Sequence, residues 1–209
     1  MSFDGYAFSK LPGFVENEMR KAFKKAVPLR TIVVYCYDPR AVNIPHVVAK
    51  AMPGEVYPGK IVTDENGKKI ASTATIFPVV VAGGRAVDAL RSITVAQHLF
   101  GIKNIVVVHH TYCGATSFTP QGIIQAFKKE QGADISTLYD RGNIAIADYE
   151  SSLKRDTRLV RESHGTPKDV NIYGYLFNID TDALTLVVED RAAQTNSPAI
   201  SSGRLARHP

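Results

Sequence analysis

Apolar residues in this chain alternate between two spacings, short continuous runs and stripes that recur every three or four positions. Between residues 14 and 27, Phe14, Val15, Met19, Ala22, Phe23 and Ala26 recur among charges as one helical stripe that stops before Pro28. TIVVYC, Thr31 to Cys36, follows as a β-branched run that predicts a buried strand. A short helix is expected over Ile44 to Ala51. In EVYPGKIVTDENGKKIASTATIF two β-prone segments flank Asn66-Gly67, a hairpin-turn dipeptide, so residues 55–77 read as an inserted hairpin. Pro78 to Val81 supplies another buried strand, Gly83-Gly84 turns the chain, and Ala86 to Phe100 has helical spacing up to Gly101. Asn104 to His109 predicts a strand, Ser117 to Glu130 a helix, and Ile144 to Arg161 an amphipathic helix. Asn171 to Asn178 and Leu184 to Glu189 predict a strand pair about Thr181-Asp182. Strands alternating with helices argue for an α/β fold, a mainly parallel central sheet flanked by helices with a terminal antiparallel strand.

Composition adds boundaries to this picture. With 209 residues, 44% hydrophobic, and no internal repeat or linker, the chain reads as a single domain, residues 1–209. Its end, TNSPAISSGRLARHP at 195–209, reads as a weakly ordered tail. The net charge is +5 and the pI near 9.2. Lysines and arginines are interleaved with acids, as in DENGKK and SSLKRDTRLVRES, which describes a solvated mixed surface and no nucleic-acid footprint. Two cysteines cannot build a disulfide framework, so a reducing compartment is expected. The opening MSFDGYAFSKLPG lacks a basic stretch followed by an apolar core, and no apolar run approaches the roughly 18 residues that span a membrane. A cytoplasmic protein with no membrane partner is the expectation.

The chemistry concentrates just beyond two strand-like runs. TIVVYCYDPR carries Cys36, Asp38 and Arg40; NIVVVHHTYCGA carries His110 and Cys113. A parallel sheet presents reactive groups at such strand ends. Two thiolates and an imidazole form a Cys₂His zinc set whose fourth corner is left for water or substrate, the mark of a catalytic site. Thiolate ligands donate more charge than imidazoles, which makes the ion a weaker acid and calls for an auxiliary group. Asp38 is that candidate: if extended geometry persists, Cys36, Asp38 and Arg40 face the same way and the guanidinium grips the carboxylate in bidentate fashion. Each residue has a duller reading. Cys36 alone would be a small buried hydrophobe, Asp38 and Arg40 alone a loop ion pair, and H-x-x-C alone a chance spacing. Their co-occurrence in matching contexts, with no cysteine left over, favours metal. His109 competes with His110, but strand alternation points it the other way. Gly83 and Gly84 serve either as a turn or as backbone that approaches the metal pocket, and Gly114 could present its amide to a substrate oxygen.

C-x-D-x-R followed by H-x-x-C resembles the β-class carbonic anhydrases. AGGRAVDALRSI (Ala82 to Ile93) is similar to that family's glycine turn and following helix, and NIYGYLFNIDTDALTLVV (Asn171 to Val188) to its closing strand pair; the likeness covers roughly residues 28 to 190. The short length and the HHT before the cysteine resemble the branch holding both small carbonic anhydrases and carbonyl sulfide hydrolases. The resemblance implies one Zn²⁺ per chain on Cys36, His110 and Cys113, with Asp38 and Arg40 as the catalytic dyad. It also implies that the aspartate can itself fill the fourth position, and that the chain pairs as a homodimer exchanging N-terminal helices (here residues 14–27) or as a tetramer of such dimers. Two departures stand out. Val80-Val81 occupies the place of a usual Arg-Asn, and Met52 that of a frequent glutamine, which predicts a more apolar pocket that grips bicarbonate poorly.

The expected function is zinc-dependent hydration or hydrolysis of a small linear heterocumulene by zinc-bound hydroxide, leaning to carbonyl sulfide (COS + H₂O to H₂S + CO₂), with CO₂ hydration to bicarbonate as the alternative. A non-catalytic zinc-binding regulatory module, its coordination closed by Asp38, is the alternative of another class. A thiol-redox protein using Cys36 and Cys113 is a third, though nothing resembles C-x-x-C.

Overall fold

The computed structural model describes residues 4–192; the tail expected at 195–209 lies outside them. Thr31–Cys36 forms β1, buried along its whole length, and Ile76–Val81 (β4) and Asn104–His110 (β5) run parallel on either side of it. Asn171–Phe177 (β6) adds to β5 in parallel and Leu184–Asp190 (β7) closes the sheet antiparallel, giving the order β4-β1-β5-β6-β7. This is the expected mainly parallel sheet with an antiparallel last strand.

Helices cover both faces, which is why β1 and β5 read as continuous apolar runs. The helices are Glu16–Ala26 (α1), Ile44–Ala51 (α2), Leu90–Phe100 (α3), Pro120–Gln131 (α4), Arg141–Ile144 (α5) and Tyr149–Glu162 (α6). Alternate strand residues divide between two cores. Ile32, Val34, Ile105 and Val107 pack with Ile93, Phe100, Leu153 and Val160 of α3 and α6. Val33, Tyr35, Val106 and Val108 pack with Ile44 and Val48 of α2. Among the described residues no helix is long and apolar enough to cross a membrane.

Several boundaries differ from expectation, and local chemistry explains them. The helix expected from Ser117 starts at Pro120, because Thr119 caps it by accepting from the Gly122 amide and Pro120 takes the first turn. The helix expected from Ile144 starts at Tyr149, capped by Asp148, which accepts from the Ser151 amide. Ala145 and Ile146 are buried in the connection before it. Residues 86–89 are a 3₁₀ turn leading into α3.

Ile61–Thr63 (β2) and Lys69–Ser72 (β3) form a hairpin where one was expected, a separate antiparallel pair turning through Asn66-Gly67. It packs beside α1, and the two line an apolar groove that includes Met19, Phe23, Ile61 and Ile70. At its base the nearly buried Glu55 carboxylate accepts from Arg30, Thr31 and Thr75 and so latches the two ends of the excursion together. In this single chain α1 also lies on its own α3, Phe23 against Phe100 with ring centroids 5.5 Å apart.

Candidate metal centre

β1 ends at Cys36 and β5 at His110; a bend through Tyr112, at φ 55°, returns Cys113 beneath them. All three side chains are buried, and one ligand atom from each lies within 4.8 Å of the others. The sulfurs are 3.9 Å apart and unbonded. Two thiolates at about 2.3 Å from a tetrahedral zinc would stand roughly 3.8 Å apart, so the spacing suits that ion. His110 Nδ1 sits 2.9 Å from the Thr111 carbonyl, which can only accept, so Nδ1 carries the proton and Nε2 offers a lone pair. Nε2 is buried without a hydrogen-bond partner. An orphaned atom of this kind costs about 1–3 kcal/mol, and a metal would satisfy it. The donor set fits zinc.

The surroundings already favour negative charge. The Cys36 thiol is pulled down to about 4 by the Cys113 S–H, by His110 and by the amides of Asp38 and Gly83, against the opposing effect of burial. Cys113, donor in that same contact, is pushed up.

Asp38 stands at the edge of the cluster, Oδ2 3.9 Å from His110 Nε2. Arg40 grips it with Nε on Oδ1 at 3.0 Å and Nη2 on Oδ2 at 2.7 Å, and the Arg40 amide adds a third bond at 3.0 Å. These bonds hold the carboxyl down at about 2. Arg40 is itself anchored on the Tyr112 carbonyl at 3.0 Å. The expected bidentate grip is present, but its backbone is not the extended one supposed. Asp38 caps a 3₁₀ turn, Pro39–Ala41, because Pro39 fixes the first turn position.

The glycines take up distinct places. Gly84, at φ 66°, is wedged between β1 and β5: a Cβ there would lie 2.5 Å from the Val108 carbonyl oxygen. Gly83, also at positive φ, turns its amide to the Cys36 sulfur. Gly114 is exposed at the start of a one-turn 3₁₀ helix. His109 faces α6, as alternation predicts, with Nε2 3.0 Å from Ser152 Oγ. Two further expectations about the pocket need relocating. Met52 packs with the α2 core and Val80 is about half exposed, while Val81 joins the α3 and α6 core. The apolar residue clustered with the two cysteines is Ile146, and Ala115 and Tyr149 pack against that cluster. Sequence reasoning missed them, together with buried Arg85 and Asp156. The only available signal was the arginine directly after Gly83-Gly84.

An α/β sheet with a Cys₂His cluster at its strand ends is a setting in which a metal ion could be held. No family model matches the chain. It is 28% identical over 100 residues to Beta-carbonic anhydrase 1 of Mycobacterium tuberculosis, covering 48% of this chain and 59% of that one. It is also 28% identical over 119 residues to the Carbon disulfide hydrolase of Acidithiobacillus thiooxidans, covering 49% and 59%. The chain thus spans about three fifths of the length of these curated relatives. Among solved structures, a carbonic anhydrase from Streptococcus mutans superposes with TM-score 0.58 at 26% identity, over 77% of this chain and 82% of the other. An apo carbon disulfide hydrolase shares the fold with TM-score 0.53 at 19% identity, over 95% and 98%. The chain thus has the fold of the β-carbonic anhydrases.

Proposed function

We propose that this chain is a zinc-dependent enzyme that adds water to a small linear heterocumulene, with carbonyl sulfide the favoured substrate and H₂S and CO₂ the products. The observation that carries this reading is the partnerless Nε2 of His110, buried beside two sulfurs 3.9 Å apart, with an ionised aspartate at its edge. Cys36, His110 and Cys113 would hold zinc through Sγ, Nε2 and Sγ. When bound, zinc would supply a water of lowered pKa, less acidic than on a three-histidine site and so in need of an auxiliary group. Asp38 Oδ2 would accept a hydrogen bond or proton there, and Arg40 keeps the carboxylate ionised and aimed. Arg40 spends its guanidinium on Asp38 and Tyr112, which matches an uncharged substrate that needs no ion pair.

The lean to carbonyl sulfide is supported by the apolar packing of Ile146, Ala115 and Tyr149 about Cys36 and Cys113, and by likeness to carbon disulfide hydrolases. Likeness to Beta-carbonic anhydrase 1, at the same 28% identity, favours CO₂ hydration as the second reading. Gly114, the exposed one of the three glycines, is the backbone donor we assign to a substrate oxygen. We further propose a homodimer or a pair of dimers, supported by the exposed Phe8, Phe14 and Val15 of the N-terminal arm, and a reducing compartment, supported by two free thiols.

Turnover of carbonyl sulfide, carbon disulfide and CO₂ measured side by side on protein of known zinc content tests the reading. H₂S release well above CO₂ hydration is expected. Fast hydration with negligible sulfide release would make the protein a carbonic anhydrase; one zinc per chain with no turnover would make it a binding module.

A further inference from the structure

Arg85 follows the Gly83-Gly84 turn and is almost wholly buried, as is its partner Asp156 on α6, at 4% and 0% side-chain exposure. The guanidinium gives Nε and Nη2 to the Asp156 carboxylate at 2.9 and 3.0 Å. Its other donors go to the carbonyls of Ala145 at 2.7 Å, Asn143 at 3.1 Å and Gly142 at 3.2 Å. Asp156 also accepts from the Ala86 amide at 3.1 Å and lies 3.7 Å from His109 Nε2.

Traced outward, this one pair reaches every segment that shapes the metal cluster. Upstream of Arg85, the Gly83 amide faces the Cys36 sulfur. One residue beyond the Ala145 carbonyl, Ile146 clusters with Cys36 and Cys113, and its amide bonds the Ala115 carbonyl at 2.9 Å, two residues after Cys113. His109 immediately precedes His110 on β5.

A buried ion pair is a poor choice where stability alone is wanted, since apolar residues of similar volume serve as well or better. A planar fork of five donors offers direction instead: it fixes several backbone segments at set angles from a single point. We infer that Asp156, acting through Arg85, is a positioning residue that holds the Gly83-Gly84 turn, the 142–146 segment and the end of β5 in the arrangement Cys36, His110 and Cys113 need to receive a metal. This inference rests on the metal site proposed above.

Zinc affinity, measured by competition with a chelator of known affinity, tests it independently of turnover. The wild-type chain is assayed first, followed by Asp156→Asn, Arg85→Lys, and Val160→Ala as a cavity variant one turn further along α6. Partners beyond the ligands typically contribute 10–100-fold to metal affinity, and a loss of that size is expected in the first two variants. Val160→Ala should lower the melting temperature while keeping wild-type zinc affinity. Should Asp156→Asn fail to fold, Arg85→Lys keeps the charge and carries the test. Wild-type zinc of one per chain, with Arg85→Lys binding within twofold of wild type or Val160→Ala losing as much, would overturn the inference. A wild-type chain that binds no zinc would overturn the metal site beneath it.

Discussion

Two arginine–aspartate pairs flank the same cluster, and they differ chiefly in their access to water. Asp38–Arg40 lies at the surface, with side chains 15% and 56% exposed; Asp156–Arg85 is sealed inside, at 0% and 4%. Both are bidentate. At the surface the grip leaves a carboxylate ionised, oriented and able to exchange protons with solvent, so its value is chemical. In the interior the same grip is costly to desolvate, and it is fully engaged by backbone on every side, so its value is geometric. The same two residue types thus tune charge on one side of the cluster and set angles on the other.

Experiments can separate these roles, starting with the site both pairs serve. Cys113→Ser should remove bound zinc and abolish turnover of every heterocumulene, read by metal content and by H₂S or bicarbonate formation on the same sample. Asp38→Asn should cut turnover by roughly 10²–10⁴-fold, the usual range for a positioned acid–base group, while zinc content and melting temperature stay at wild-type values. Asp156→Ala should instead act through the fold: an uncompensated Arg85 in the interior lowers stability by roughly 3–5 kcal/mol, read by denaturant unfolding, and zinc affinity falls with it. If the surface variant were the one that unfolded, the division of labour would be wrong.

Acid should find the interior first. Burial, reinforced by Arg85 and opposed by Asp156, lowers His109 to about 4 from its ordinary 6.5. Between those values the unfolded chain takes up a proton that the fold refuses. Stability is therefore complete above pH 6.5 and declines as pH falls toward 4, by about 3 kcal/mol in all. Asp38, held down at about 2, stays ionised in the fold across that window and adds to the decline only near pH 4, where the unfolded carboxylate starts to protonate. Thermal melts from pH 4 to 7 should show the slope in the wild type and a flatter one in His109→Gln. The smallest effect belongs to Arg40→Lys: loss of the fork should lower turnover severalfold and leave the melting temperature nearly unmoved, since exposed pairs contribute little to folding.

The sheet was readable because its signals are local. Continuous β-branched runs at Thr31–Cys36 and Asn104–His110 can only be strands covered on both faces, and Gly101 and Asn66-Gly67 mark their own turns. The cluster was readable because Cys36, His110 and Cys113 each sit at or just past a strand end. What stayed hidden depends on long-range contact. Ile146 looks like one apolar residue in an amphipathic helix, and nothing nearby says that it leaves the helix to cluster with two cysteines. Asp156 looks like a polar residue among the charges of α6, and its burial follows only from an arginine 71 positions earlier. The turn at Pro39 was legible in principle, since proline disfavours continued strand, but the i, i+2 spacing suggested extension more strongly.

The Glu55 latch has a consequence for how this chain can vary. By joining Arg30, Thr31 and Thr75 at the mouth of the excursion, it delivers the backbone into β4 at the same point whatever is carried between. Within the excursion the turn at residues 64–68, outside the α1 groove, is therefore where length and sequence should drift with least effect on the strand ends that bear the chemistry.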